Sequence, residues 1–423
     1  MDMAPRSVKR ISKTHPGQSY APEIHAGPPV DEHGIINVAA HGDIVLSVEL
    51  DDNMDAARFR VSQPGLKRHS RVFERLLEPG RFGEGTRVED ELKILRERYH
   101  STLEVPSNEL PVVKIKDIGR ISHVRSIVAL FTDFLYILHG KETFNFPPVP
   151  NLANLAIAAD FFDAVEVLKS YVKRKKMLQA ADGKTKADGT LSEEKVRQRL
   201  LVAIMLDYPP WLERYSIRLI TKGWVGKEAD ISAPLWWDLP MRIEEELAYR
   251  RECVLDTIQS LQTHFLGLYT TRERQCKLGY DSSAQCDSFQ LGEMVRFFTR
   301  IGTMRLQGAI FNTSEPGEPY GGDIYELLDT LQQVPEYQVD RHHSHCGIRT
   351  RITPMLDTLR RLVGQLGICP ICQEEDRATY LWVDAKRPLL WRKTASLTVP
   401  QGHRSRHVEL REVFTATERD WGR

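Results

Sequence analysis

Cys369-Pro370-Ile371-Cys372 is the sharpest chemical feature of the chain. A C-x-x-C pair lets two thiolates reach one zinc ion from a single tight turn. Donors of the same kind recur elsewhere. His342, His343, His345 and Cys346 form a second cluster, and Cys276 and Cys286 flank the loop CKLGYDSSAQC. Tetrahedral zinc needs four ligands, with sulfur or nitrogen about 2–2.3 Å from the metal. Pro354 to Leu366 reads as one helix, roughly 20 Å long at about 1.5 Å per residue. Cys346 and Cys369 then fall near its opposite ends, so one ion joining both is not the default unless residues 347–353 fold back. Two groupings follow. Cys276, Cys286, His343 and Cys346 form one; Cys369 and Cys372 form the other, with His403 or His407 as further donors. The competing reading is free thiols, buried or at loop ends, because no complete set has a standard spacing.

Other chemistry is poorly represented. There is no P-loop, no G-x-S-x-G elbow, no H-E-x-x-H and no dinucleotide fingerprint, so an enzyme is not expected. Gly321-Gly322-Asp323 is a lone glycine pair before a short helix, a weak anion-binding signal. The C-x-x-C pair lacks the strand–helix context of a redox site. Lys173-Arg174-Lys175-Lys176 reads either as a nuclear-import patch or as a solvated helix end whose cations complement the helix dipole. Trp211, Trp224, Trp236 and Trp237 read as packing residues before a ligand pocket.

These residues sit in a chain of 423, with 41% hydrophobic and 27% charged residues, enough apolar material for a core. Lys plus Arg and Asp plus Glu balance at 58 each, so no global field points to nucleic acid or membrane. No apolar run approaches the roughly 20 residues that span a bilayer. Six cysteines in this length argue for a reducing compartment, cytoplasmic or nuclear.

Residues 1–40 are polar and aperiodic and read as a disordered leader. Ile44, Leu46, Val48 and Leu50 alternate with Val45, Ser47 and Glu49 as in a half-buried strand, and Arg58 to Val61 reads as its hairpin partner. Ser62 is a helix N-cap for the stretch carrying Leu66, Phe73, Leu76 and Leu77. A charged helix near 88–100 and a strand at Pro111–Lys116 follow. Val124, Ile127, Val128, Phe131, Leu135 and Leu138 form a helical stripe, ended by His139-Gly140. Asn151 and Asp163 open two further helical turns. The polar stretch 179–194 reads as a linker. A mainly helical region spans 195–366; its longest helix is expected from Met241 to Phe265, and another starts at Thr353-Pro354. The tail, 367–423, carries TYLWV and PLLW, expected as a hairpin.

The order of pieces in the first half resembles the BTB/POZ family. The matching pieces are HGDIVLSVEL, FRVSQPGLKRHSRVFERLLEPGRFGEG, LPVVKIKD, FLYILHG and LANLAIAADFFDAVEVLKSYV. In the family, the last two correspond to a leucine-rich helix closed by a glycine turn and then a helix pair. This sequence has His139-Gly140 and Ala159-Asp160-Phe161-Phe162 there. The resemblance covers roughly residues 41–177 and departs from the family in a longer, charged connection from Thr86 to Leu110. The layout is similar to BTB proteins of filamentous fungi.

The resemblance implies an α+β BTB/POZ-like domain over 41–178, a small sheet capped by helices, followed by the mainly α-helical region. It implies protein binding: a homodimer, a BTB heterodimer, or docking on a cullin scaffold. Asp43 matches a family Asp that contributes to a charged pocket in some members; otherwise it caps a turn. The expected function is an interaction adaptor. The alternatives are a substrate receptor of a cullin-type ubiquitin ligase and a zinc-assisted transcriptional regulator.

Overall fold

The structure is a computed structural model. It describes residues 28–422 except 50–55, 102–103, 123, 125, 144–145, 184–187, 279–281, 306–319, 376–380 and 394–401.

Three strands come first: β1 (Ile36–Asn37), β2 (Ile44–Val48) and β3 (Ala57–Val61). β2 and β3 pair antiparallel, with Ile44 opposite Val61 and Leu46 opposite Phe59. β1 lies parallel to the other edge of β3. Within the stretch 1–40, expected as a disordered leader, residues 36–37 form this strand. Ile35, Ile36, Val38 and Ala39 are buried against the sheet, and residues 1–27 lie outside the described part. Apolar burial outweighs the polar composition of this stretch.

α1 (Gln63–His69) and α2 (Arg71–Leu76) follow directly. The Gly65 N–H donates to Ser62 Oγ at 3.4 Å, the cap expected from sequence. Ser70 does two jobs at the joint: its Oγ accepts from the Phe73 N–H at 3.1 Å and donates to the Phe162 carbonyl at 2.5 Å. The charged connection forms α3 (Gly83–Arg98), which buries Val88, Leu92 and Leu95. β4 (Val112–Ile115) then joins β2 in parallel, completing the sheet order β1-β3-β2-β4. Arg87 of α3 donates to the Val112 carbonyl at 2.6 Å and so covers part of this edge strand.

α4 (Ile127–Leu138), α5 (Val149–Phe161) and α6 (Val165–Arg174) close the layer. α5 begins two residues before Asn151, with Pro150 in its first turn, where a missing N–H costs nothing. Phe73 stacks on Phe162 with centroids 4.8 Å apart, and Phe131 meets Phe59 at 5.5 Å. His139 ties the end of α4 to the start of α1: its Nε2 accepts from the Ser62 N–H at 3.0 Å and its Nδ1 meets the Leu135 carbonyl at 2.8 Å.

The stretch 179–194 begins inside α7 (Met177–Gly183) and ends inside α8 (Glu193–Met205). Met177 and Leu178 are buried, α5 packs along α8, and one apolar core runs from the sheet to Trp382 and Trp421. α9 (Pro209–Lys222) ends at Gly223, whose φ of 72° suits glycine. Next comes α10 (Ile243–Thr270), the longest helix among the described residues; it runs five residues past the expected Phe265.

α11 (Ala284–Arg300), α12 (Ile324–Gln332) and α13 (Arg349–Val363) pack around it. α13 starts a turn earlier than expected, with Pro354 inside and exposed. The bond that Pro354 omits would reach the Thr350 carbonyl, which is also on an exposed residue. The tail holds α14 (Pro370–Glu375), β5 (Leu390–Arg392), α15 (His403–Thr415) and β6 (Glu418–Asp420). Among the described residues the tail forms no hairpin. β5 pairs in parallel with β6 across the α15 crossover, and residues 379–380 of TYLWV lie outside the described part. A parallel pair needs a crossover long enough to hold a helix.

Candidate metal centres

Cys276 follows the end of α10, Cys286 lies in the first turn of α11, and His343 and Cys346 occupy the loop before α13. These four residues meet. Their donor atoms all lie within 4.8 Å of one another, and all four residues are buried. Cys276 Sγ is 3.9 Å from Cys346 Sγ and 3.4 Å from His343 Nδ1. A zinc tetrahedron with ligands at about 2.0–2.3 Å has S···S edges of about 3.8 Å and S···N edges of about 3.5 Å. The observed separations match that shape, and they are far too long for a disulfide.

The surroundings orient the donors. Ser283 caps α11 and accepts from the Cys286 N–H at 3.2 Å. The Lys277 N–H donates to Cys346 Sγ at 3.5 Å, and Tyr269 Oη donates to the Cys346 carbonyl at 2.8 Å. Arg351 donates to the Gln275 side chain at 3.0 Å, and the Gln275 N–H donates to Asp287 at 3.1 Å, so α11 and α13 both grip the residue before Cys276. His343 turns its Nε2 toward the Asp340 carboxylate, 3.9 Å away, which leaves Nδ1 facing the sulfurs. Burial acts to raise the Cys276 thiol, but backbone N–H groups at Ser283 and Leu278, with His343, hold it below its ordinary value. Burial, and then the neighbouring Cys346 and Cys276, push the Cys286 thiol up. Of the other two histidines in the cluster, neither joins. His342 is exposed, and His345 is exposed beside Glu336 at 3.4 Å.

Cys369 and Cys372 form a second centre with both His403 and His407, again with all donor atoms within 4.8 Å. His403 Nε2 is 3.2 Å from Cys369 Sγ and 3.4 Å from Cys372 Sγ. The thiols sit at the start of α14; the imidazoles share one face of α15 four residues apart. Here the cysteines are buried, His403 is exposed and His407 is half-buried. Burial, and then Cys369, push the Cys372 thiol up to about 11. Burial, and then the neighbouring His403, hold His407 below its ordinary value.

The thiol pair is carried by a fixed backbone. Arg250 on α10 donates to the Leu366 and Gly367 carbonyls at 2.7 and 3.0 Å. Ser216 accepts from the Ile368 N–H at 2.9 Å. Gly367 presses on α9 so closely that a Cβ there would lie 2.7 Å from the Glu213 carbonyl oxygen. Arg250 also pairs with Glu246 at 2.6 Å, and Glu246 accepts from the Trp382 and Val383 N–H groups at 3.0 and 3.1 Å. One buried ion pair thus holds both flanks of α14. Sequence reading missed it, since Glu and Arg four apart on a helix normally mark a solvated face. The sixth cysteine, Cys253, belongs to neither centre, and burial pushes its thiol up to about 11.

The remaining candidates lie apart from both centres. Asp43 accepts from the Gln63 N–H at 2.7 Å and so adds to the Ser62 cap at the start of α1; burial raises its carboxyl above the ordinary value. Lys173 and Arg174 form the last turn of α6, and Lys175 pairs with Glu142. Trp211 and Trp236 are fully buried. No helix among the described residues is long and apolar enough to cross a membrane.

The fold and its centres define an α+β chain with a small N-terminal sheet, a mostly helical remainder and two Cys/His clusters able to hold a metal. No family model, curated protein or solved structure matches it.

Proposed function

We propose that the chain is a protein-interaction adaptor whose helical half is stapled by zinc. The observation that carries this reading is the first centre. Four buried donors, three of them sulfur, converge from three parts of the chain within 4.8 Å of one another, and the separations of Cys276 from Cys346 and His343 match tetrahedral edges. Sulfur-rich donor sets suit zinc, and four protein ligands leave no open position for substrate. Such a centre supplies folding energy and rigidity. The binding activity is assigned to the N-terminal half. Its order of strands and helices supports the BTB/POZ resemblance, and family members act by pairing with themselves or with scaffold proteins.

The test uses the full chain. A fragment ending near residue 178 would expose the face of α5 that packs on α8. The zinc-loaded protein should self-associate in light scattering or retrieve a BTB-type partner in affinity purification. A cullin among the retained proteins would make it a ligase substrate receptor. A strict monomer that retrieves neither class contradicts the adaptor reading.

A further inference from the structure

α15 is two helices in one as regards support. From Gly402 to Arg406 every residue is exposed, and Val408 is still 39% exposed. Burial begins at Leu410 and continues through Val413, Phe414 and Thr415. The packed half lies on α10 and stacks Phe414 on Trp382 with centroids 6.0 Å apart. The exposed half reaches the body through His403 and His407, whose rings meet at 4.6 Å beside the Cys369–Cys372 pair. Its N-cap, Gly402, makes no side-chain capping bond. Helix ends without caps or packing fray, because each turn must offset the entropy of ordering its backbone.

We infer that the second centre binds zinc reversibly and works as a latch. Zinc bridging the α14 thiols to the α15 imidazoles folds the first two turns of α15 onto the body. Loss of that zinc releases them while the first centre stays loaded. Two differences between the centres carry this. The first buries all four ligands, whereas the second presents His403 to solvent, where a competing ligand reaches the ion. The first also joins segments that are packed beyond their ligands, whereas the second restrains two turns that are otherwise exposed. α14 in addition forms, with Pro370, Gln373 and Glu374, one wall of a cleft of about 990 Å³ that faces Arg71 and Asp163 of the N-terminal half. Zinc loading therefore fixes α15 against the helix that shapes this cleft.

The inference rests on the zinc reading above, and its test separates the two. Zinc-loaded full-length protein is mixed with excess chromogenic chelator, while hydrogen–deuterium exchange is followed by mass spectrometry. One zinc equivalent should leave in a resolved fast phase. Amides of residues 406–410 should lose protection with it, while those of α11 keep theirs. His403→Ala with His407→Ala should remove one zinc and the fast phase. It should also leave 406–410 unprotected in the presence of zinc. Two zinc ions leaving together, or protection at 406–410 indifferent to zinc, would overturn the latch alone. A chain that takes up no zinc at either centre removes the zinc reading and the latch with it.

Discussion

In the N-terminal half the interior is mostly hydrocarbon: Phe59, Phe73, Phe131, Phe134 and Phe162 fill the space between the sheet and the helices. In the helical half, charges and thiols lie at the same depth. Arg197, Glu246 and Arg250 are almost wholly inaccessible, and so are Cys286 and Cys346. Arg197 is satisfied by a bidentate pair with Glu244 at 2.8 and 3.0 Å, by Glu193 at 3.1 Å and by the Trp224 carbonyl. The contrast teaches how each half should fail. A hydrocarbon core degrades by degrees as atoms are removed. A buried polar centre fails abruptly, because the partner left behind is an uncompensated charge or donor set.

Four substitutions sharpen the contrast. The largest effect is expected from Cys346→Ser, which opens the first centre and should cost about 5 kcal/mol or more of stability, with loss of one zinc. Denaturant titration with and without zinc checks it, and near-equal midpoints would refute it. Arg250→Met leaves the Glu246 carboxylate buried beside two amides and should cost about 3–5 kcal/mol. A loss below about 1 kcal/mol, within reach of ordinary surface changes, would show that the pair is dispensable.

The third change works through pH in the hydrocarbon half. Burial pushes the half-buried Asp133 carboxyl up to about 6, from an ordinary 3.8. The folded chain therefore holds a proton that the unfolded chain has released, so stability falls as pH rises through that window. Asp133→Asn should stabilise the protein by about 1–2 kcal/mol at pH 7.5, after allowance for partial solvent access, and by nothing near pH 3.5. An equal gain at both pH values would contradict the assignment. The smallest effect belongs to Asp43→Ala, which removes the acceptor of the Gln63 N–H at the start of α1 at a cost of about 1 kcal/mol, with Ser62 still capping the helix, and leaves both metal centres unchanged. Zinc loss in that variant would break the separation of the two halves.

Most of the sheet and its helices were legible because β2, β3, α4 and α10 carry plain periodicity over five or more residues. β1 was not, because two residues show no period. The Ile35-Ile36 pair with Val38 was the available signal. α15 has no counterpart among the elements expected from sequence, because its first two turns are polar and its apolar positions, Leu410, Val413 and Phe414, come late. The i, i+4 spacing of His403 and His407 was the clue to a helix there. The donors of both centres were visible as residue types, and the length of the helix between Cys346 and Cys369 separated them. The Glu246–Arg250 anchor was not visible, because burial of a charge is a tertiary fact that local pattern does not encode.

The central claim is that two Cys/His clusters hold zinc, and elemental analysis of the purified full chain tests it most directly. Two zinc ions per chain, one for each cluster, is the predicted result. Fewer than about 0.2 per chain, in protein prepared without chelator and folded by circular dichroism, would contradict it, since a structural zinc site does not fold empty.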